Sequence, residues 1–323
     1  MTSPPKTNRL HDFAEEFISD ISHHREVRSE ALAEALRLRF GLPPFPTIFD
    51  LRDLCLALDV PLWRLPKGIV GVEASNISFD GDAAIMLDGN LRGPRLESSL
   101  AHEIRETIEN AFQRVKPAYE GLPTHDNALM NPASDRFAGY LLMQTAASRE
   151  LMAELGFDLV EFARRTGRSL PSVVKRATQL FSSKSGAGAP VMGVWLFESP
   201  WERVQSGLAR VEDLRVRDVA KLSGFTQRRG TVASHVFPSE GAVGSEFSLV
   251  AAAVAAGRPH SVIVGAMALI ESHDFVAVAE PISPWGSPWR AVMTAVRADD
   301  AHRVGGLLAR LNPVHREQQM QRV

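Results

Sequence analysis

The chain has 323 residues, a formal net charge of −2 and 45% hydrophobic residues, which is the composition of an ordinary globular protein. Its length predicts about two domains. The near-neutral charge excludes binding to nucleic acid or anionic membranes by global electrostatic attraction. Cys55 is the single cysteine, which fits a reducing cytoplasm. We expect a cytoplasmic protein without membrane partners, because the N-terminus does not resemble a signal peptide and the most apolar run, 247–256, is too short to span a bilayer.

The first half of the chain is predicted to be mainly helical. Apolar residues recur at helical spacing in several segments, and short apolar runs bounded by turn residues indicate two strands. The predicted elements, in chain order, are helices at 9–39 and 48–58, strands at 68–73 and 83–87, and helices at 96–115 and 131–142.

The second half mixes strands with segregated helices, which is typical of an α+β domain. Two short helices are predicted within 151–181 around Gly167, and 182–190 has the composition of a linker, so we expect a domain boundary there. Beyond it, strands are predicted at 191–197, 261–269, 275–279 and 290–297, with helices at 247–256 and 301–311.

The segment Leu100-Ala101-His102-Glu103-Ile104-Arg105-Glu106 carries the strongest functional signal. It reads as the zinc-peptidase helix motif H-E-x-x-H with glutamate in place of the second histidine. Residues four apart share a helix face, so His102 and Glu106 can point at one metal ion, with Glu103 beside them. A carboxylate is an accepted zinc ligand, so the motif predicts metal ligands at His102 and Glu106 and a general base at Glu103. The plain alternative is that these charges form the solvated face of a helix.

A catalytic zinc site also needs a third protein ligand and an open position for water. The sequence leaves this third ligand open among Glu109, His125, Asp126 and Asp135. Asp135 opens a predicted helix, so it is also placed to cap that helix. A ligand set that contains Glu106 carries more negative charge than a two-histidine set, which makes the ion a weaker Lewis acid and favours Mn²⁺ beside Zn²⁺.

Several short blocks around the motif occur in a characteristic order and spacing. Through these blocks the run 40–181 resembles the ImmA/IrrE family of metallopeptidases. The blocks are 49–54 with 58–61, then 68–71, 84–88, 95–104 and 135–143.

The resemblance implies a zincin-like, zinc-dependent endopeptidase that cleaves a helix-turn-helix repressor in a stress response or in the control of mobile elements. It matches His102 to the first zinc ligand and Glu103 to the general base, and Glu106 stands at the position of the second histidine. The position of the family's acidic third ligand holds Ala133, which cannot bind a metal. The alternative function is therefore a non-catalytic regulator on a peptidase scaffold, which senses a signal and binds a partner protein or DNA.

Longer members of the family imply three regions here: a metallopeptidase domain at 1–148, a helix-turn-helix-like segment at 149–184 and a GAF-like sensory domain at 185–323. The stretch 158–184 has an excess of basic residues, which offers a contact to DNA phosphates or a docking face for a partner. A small-molecule pocket in the last region is an expectation based on its tryptophans, Trp195, Trp201, Trp285 and Trp289.

Overall fold

The computed structural model describes residues 9–20, 29–66, 73–79, 82–115, 127–181, 188–206, 210–222, 248–256, 260–264, 275–282 and 290–304. These residues divide into two compact units, and the division falls between Ser148 and Arg149. Both units combine helices with one small sheet, so the chain is α+β, as the sequence predicts. In the part of the chain that the structure describes, no helix is both long and apolar enough to cross a membrane.

The first unit contains a three-stranded sheet and the helices that pack around it. Its strand order is β1-β3-β2, in which β1 is parallel and β2 antiparallel to the central strand β3. The elements are α1 (Arg9–Asp20), α2 (Ser29–Phe40), α3 (Ile48–Ala57), β1 (Leu62–Leu65), β2 (Ala74–Phe79), β3 (Asp82–Asp88), α4 (Gly93–Val115), α5 (Asn127–Leu142) and α6 (Thr145–Glu154), which contains the division between the units.

The motif helix α4 forms because an apolar stripe runs along its length. Leu100, Ile104, Ile108 and Phe112 lie one helical turn apart, and each is at most 1% exposed. Phe112 stacks on Phe17 of α1 with ring centroids 5.7 Å apart. The buried stripe fixes the rotation of α4, so the residues beside it are held in one orientation towards the sheet and α5.

Two strands of the first sheet differ from the prediction. The predicted strand at 83–87 forms as β3, whereas the segment predicted at 68–73 lies outside the described residues except for Glu73. The strands β1 and β2 were not predicted. Their sequences, Leu62-Trp63-Arg64-Leu65 and Ala74-Ser75-Asn76-Ile77-Ser78-Phe79, are short or largely polar, so neither has a clear apolar alternation.

The second unit contains a five-stranded antiparallel sheet with strand order β5-β4-β8-β7-β6. Apolar residues cover both faces of its central strands, as in a sheet that is packed on two sides. The elements are α7 (Leu159–Thr166), α8 (Leu170–Phe181), β4 (Met192–Glu198), α9 (Trp201–Gln205), β5 (Arg215–Leu222), α10 (Ser248–Ala256), β6 (His260–Val264), β7 (Phe275–Pro281) and β8 (Arg290–Arg297).

The helices α7 and α8 belong to the same unit as this sheet. Asp158 caps α7 by accepting a hydrogen bond from the Glu161 N–H at 2.9 Å, and Gly167 ends it at φ +66°, which only glycine adopts readily. Helix α8 packs against β4 and β5, and the segment 149–181 belongs with this sheet to the second compact unit.

Candidate functional site

The residues of the motif meet at a junction of α4, β2 and α5. The His102 ring lies between two carboxylates: its Nε2 is 2.9 Å from Glu106 Oε1, and its Nδ1 is 3.3 Å from Asp135 Oδ1 on α5. The His102 and Glu106 side chains are 18% and 20% exposed, whereas that of Asp135 is 65% exposed. Solvent therefore reaches the site mainly from the Asp135 side of the imidazole.

Glu103 and Glu106 are joined by an asparagine from the sheet. Asn76 Nδ2 on β2 donates to Glu106 Oε2 at 2.9 Å and to Glu103 Oε2 at 3.2 Å. The side-chain oxygen Oδ1 of Asn76 in turn accepts a hydrogen bond from Nδ2 of Asn110 at 2.9 Å. Asn110 lies on α4, one helical turn beyond Glu106. The amide thus supplies positive dipole where two carboxylates approach each other, and Asn110 fixes its orientation.

The electrostatics of the cluster favour a protonated imidazole. Burial by itself lowers the pKa of His102, but hydrogen bonds to Asp135 and Glu106 and the charges of Glu106 and Glu103 outweigh it and raise the pKa to about 10. Burial, and then the charge of Glu106, raise the pKa of Glu103, although the Asn76 hydrogen bond and His102 act in the opposite direction. Without a metal, the cluster is therefore a cation held between carboxylates.

The donor atoms of His102, Glu103 and Glu106 lie within 4.8 Å of one another, so the three side chains fit one divalent cation. They do not fit a catalytic zinc site in which Glu103 remains free as a base, because His102 and Glu106 then supply only two ligands. Asp135 contacts Nδ1, whereas an ion shared with Glu106 would bind at Nε2, so Asp135 as the third ligand stays a prediction. Its geometry is that of a carboxylate that orients a histidine.

Of the other candidates for a third ligand, the structure describes Glu109, which does not complete the site. Glu109 is buried and forms an ion pair with Arg105, with 3.0 Å between Nη1 and Oε2. The Ala133 side chain is 7% exposed and carries no donor atom. The residues His125 and Asp126 lie outside the described part of the chain.

Sequence reasoning missed Asn76 and Asn110. Both are ordinary polar residues by themselves, and the pairing of β2 with β3, which places Asn76 opposite Ile85 on the α4 side of the sheet, was not predicted. Asn110 could have been found from the sequence, because it lies four residues after Glu106 and therefore on the same face of a helix that the apolar stripe predicts.

The two-helix segment exposes three basic side chains in its described part, Arg164, Arg165 and Lys175, and the two arginines are paired with acidic residues. Helix α8 is buried along most of its length, and Lys175 is its one exposed residue. A recognition helix, in contrast, has to present a face to the DNA groove. Of the other basic residues in 158–184, Arg168 and Arg176 are buried, Arg164 and Arg165 pair with Glu161, and Lys184 lies outside the described residues.

The tryptophans do not form an observed pocket in the described residues. Trp195 is fully buried in the core of the second unit, beside Phe197 and Met293. The side chain of Trp201 and the residues Trp285 and Trp289 lie outside what the structure describes. Their part in a ligand pocket stays a prediction.

No model of a known protein family matches the chain, and no curated protein matches it significantly. Among solved structures, the chain is similar to a Mycobacterium tuberculosis transcriptional regulator, with a TM-score of 0.54 and 12% sequence identity. The similarity covers 92% of this chain and 83% of that protein. At this level of identity the likeness concerns the fold.

Proposed function

We propose that the protein is a transcriptional regulator that acts by binding a protein partner, on a zincin-like scaffold of the ImmA/IrrE type. The set of available metal ligands carries this proposal. When Glu103 is kept as a base, the described cluster supplies two ligands, and the position of the third holds Ala133. A zinc hydrolase needs three.

A divalent ion, Zn²⁺ or Mn²⁺, is still accommodated if Glu103 serves as a ligand beside His102 and Glu106. Such an ion would be coordinated by three side chains of α4. It would stabilise the fold and fix the orientation of these side chains. Glu103 would then no longer be available to take a proton from water, so the same choice that completes the ligand set removes the base.

A protein partner is favoured over direct DNA contact. The likeness to a transcriptional regulator over 92% of the chain supports a role in regulation. In 158–184, Arg168 and Arg176 are buried, and the exposed Arg164 and Arg165 are paired with acidic residues. Among the described residues this leaves Lys175 as the exposed cation of α8 without an ion-pair partner, which is too little for phosphate binding to dominate. The partner that fits best is a helix-turn-helix repressor, held and not cut, with the GAF-like second unit as the sensor of a signal.

A metal-dependent endopeptidase that cleaves such a repressor is the second candidate function. It is favoured by the convergence of His102, Glu103 and Glu106 beside β2, an edge strand of the sheet along which an extended substrate can pair. In this function Glu103 is the general base, and a ligand from outside the described residues completes the site.

One experiment separates the two functions. The chromosomal gene is replaced by a Glu103→Gln allele, by a Glu15→Gln allele as an exposed control on α1, or by a deletion, and transcripts are compared with those of the parent. Metal content of each purified protein is measured by elemental analysis. Regulation by binding predicts that both substitutions keep the parental transcript profile.

A Glu103→Gln profile that matches the deletion, from a protein that folds with the parental melting temperature, would overturn the binding function. Recovery of a shortened repressor in the parent but not in the Glu103→Gln strain would establish the endopeptidase in its place.

A further inference from the structure

The first unit presents an apolar surface at the edge of the sheet that is remote from the histidine cluster. Large apolar side chains that are mostly exposed are few among the described residues, and three of them lie in this region. Phe49 and Leu56 share the outer face of α3 and are 69% and 73% exposed, and Trp63 of the adjacent β1 is 54% exposed. Phe49 and Leu56 thus form an exposed apolar face on α3, whereas Trp63 lies on the sheet face opposite Leu62 and Arg64. Exposed aromatic and aliphatic side chains are typical of binding surfaces.

A groove runs between α3 and β1, with a volume of about 310 Å³, and we refer to it as the α3–β1 groove. Leu56, Leu62 and Leu87 are among the residues of its apolar lining, and Arg52 and Arg64 bring two positive charges to it. Arg64 Nη2 donates to the Leu91 carbonyl at 2.7 Å, which holds this guanidinium in place, and no other hydrogen bond of its N–H groups is seen among the described residues.

The backbone of β1 adds a second feature beside the groove. The Ile85 N–H donates to the Pro61 carbonyl at 3.0 Å, which sets the direction of the parallel ladder between β1 and β3. Odd-numbered residues of β1 therefore face β3, and the N–H and C=O groups of Leu62 and Arg64 point to the open edge. In the described ranges these four groups have no hydrogen-bonding partner.

We propose that the α3–β1 groove binds an extended, acidic segment of a partner protein, which pairs with β1 as an additional strand. The edge supplies backbone hydrogen bonds, the groove takes an apolar side chain, and Arg52 and Arg64 pair with carboxylates of the segment. Since side chains of a strand alternate, the segment carries acidic and apolar residues on its groove side and an apolar residue towards Trp63.

Charge complementarity selects this occupant. Two arginines beside an apolar groove favour an anionic partner. A strand edge that has no partner among the described residues favours a polypeptide over a lipid or another small anion. The site lies at the β1 edge, whereas the histidine cluster contacts β2 at the opposite edge. The inference therefore stands whether or not the cluster binds metal or cleaves a substrate.

The probe is a phage library of random linear octapeptides, selected on the full-length protein. Enriched peptides are synthesised with a fluorescent label and titrated by anisotropy against the wild type, Arg52→Glu and Leu56→Asp. The controls are Arg114→Glu, which reverses an exposed arginine of α4, and Leu38→Asp, which places a charge at another exposed leucine. A backbone N-methylated copy of each peptide tests strand pairing.

The expected peptides alternate acidic and apolar residues, bind at least about tenfold more weakly to Arg52→Glu and Leu56→Asp, and bind the two control variants like the wild type. N-methylation at alternate residues abolishes their binding. The proposal is overturned if selection on the wild type enriches no peptide that selection on the Arg52→Glu protein does not also enrich. It is equally overturned if the N-methylated copies bind as well as the unmodified peptides. It is also overturned if Leu56→Asp acts by converting a dimer to a monomer in sedimentation, which would make a second copy of the chain the occupant.

Discussion

Replacing His102 by glutamine tests the electrostatics of the cluster, because it removes the one titrating cation and keeps a side chain that can donate a hydrogen bond. The pKa of His102 is raised from 6.5 to about 10 in the folded chain. A group whose pKa is higher in the folded state stabilises the fold fully below its unfolded pKa, and that stabilisation is lost as the pH rises through the folded pKa. The free energy of unfolding should therefore fall between pH 6.5 and 10.

The cleanest part of this window is pH 7 to 9. Burial raises the pKa of Glu280 to about 7, so its contribution to stability changes mainly below pH 7. Burial also raises the pKa of Cys55 from 9.0 to about 12, so its contribution changes above pH 9. Between these limits the folded His102 is charged and the unfolded one is neutral, which lowers the free energy of unfolding by about 2 kcal/mol from pH 7 to pH 9.

The assay is urea unfolding followed by circular dichroism at pH 7, 8 and 9, with a chelator present so that no metal competes for the imidazole. The wild type should lose about 2 kcal/mol over this range, and His102→Gln should lose almost none. Parallel pH dependences for the two proteins would show that His102 is neutral in the fold, and would refute the assignment of a cation between Glu106 and Asp135.

Three further substitutions test other parts of the structure. Asn76→Asp replaces the amide donor between two carboxylates by a third acid. The metal-free protein should therefore lose about 1–3 kcal/mol of stability, whereas its affinity for Mn²⁺, measured by calorimetry, should increase. An unchanged affinity for Mn²⁺ would place Asn76 outside the ion site. Glu109→Leu leaves the Arg105 charge buried without its partner and should lower the free energy of unfolding in urea by about 3–5 kcal/mol. The double variant Arg105→Met with Glu109→Leu should recover most of that loss. Equal losses in the single and the double variant would contradict the buried ion pair. Burial raises the pKa of Glu280 to about 7, so Glu280 contributes a fall in stability as the pH rises from 4.5 to about 7. Glu280→Gln should make the pH dependence of stability in this range less steep; the same slope in both proteins would exclude a contribution from Glu280.

The sequence determined the local parts of this protein whose signals are periodic. The apolar stripe of α4 predicts both the helix and its buried face, and the spacing of His102, Glu103 and Glu106 predicts their convergence, since residues one helical turn apart meet without help from the rest of the fold. The α+β class follows from the same kind of pattern.

The tertiary structure decided everything that depends on contacts between distant segments. Asn76 reaches Glu106 only because β2 pairs with β3 beneath α4, and β2 itself is too polar to be recognised as a strand. Whether Asp135 could be a ligand depended on which ring nitrogen it contacts, which is set by the packing of α5 on α4. The basic residues of 158–184 give an excess of charge in the sequence, but the packing of α8 on the second sheet buries Arg176. Two others, Arg164 and Arg165, form ion pairs with acidic residues. Spacing along one element is fixed by covalent geometry, whereas the partner of a side chain is fixed by which elements pack together.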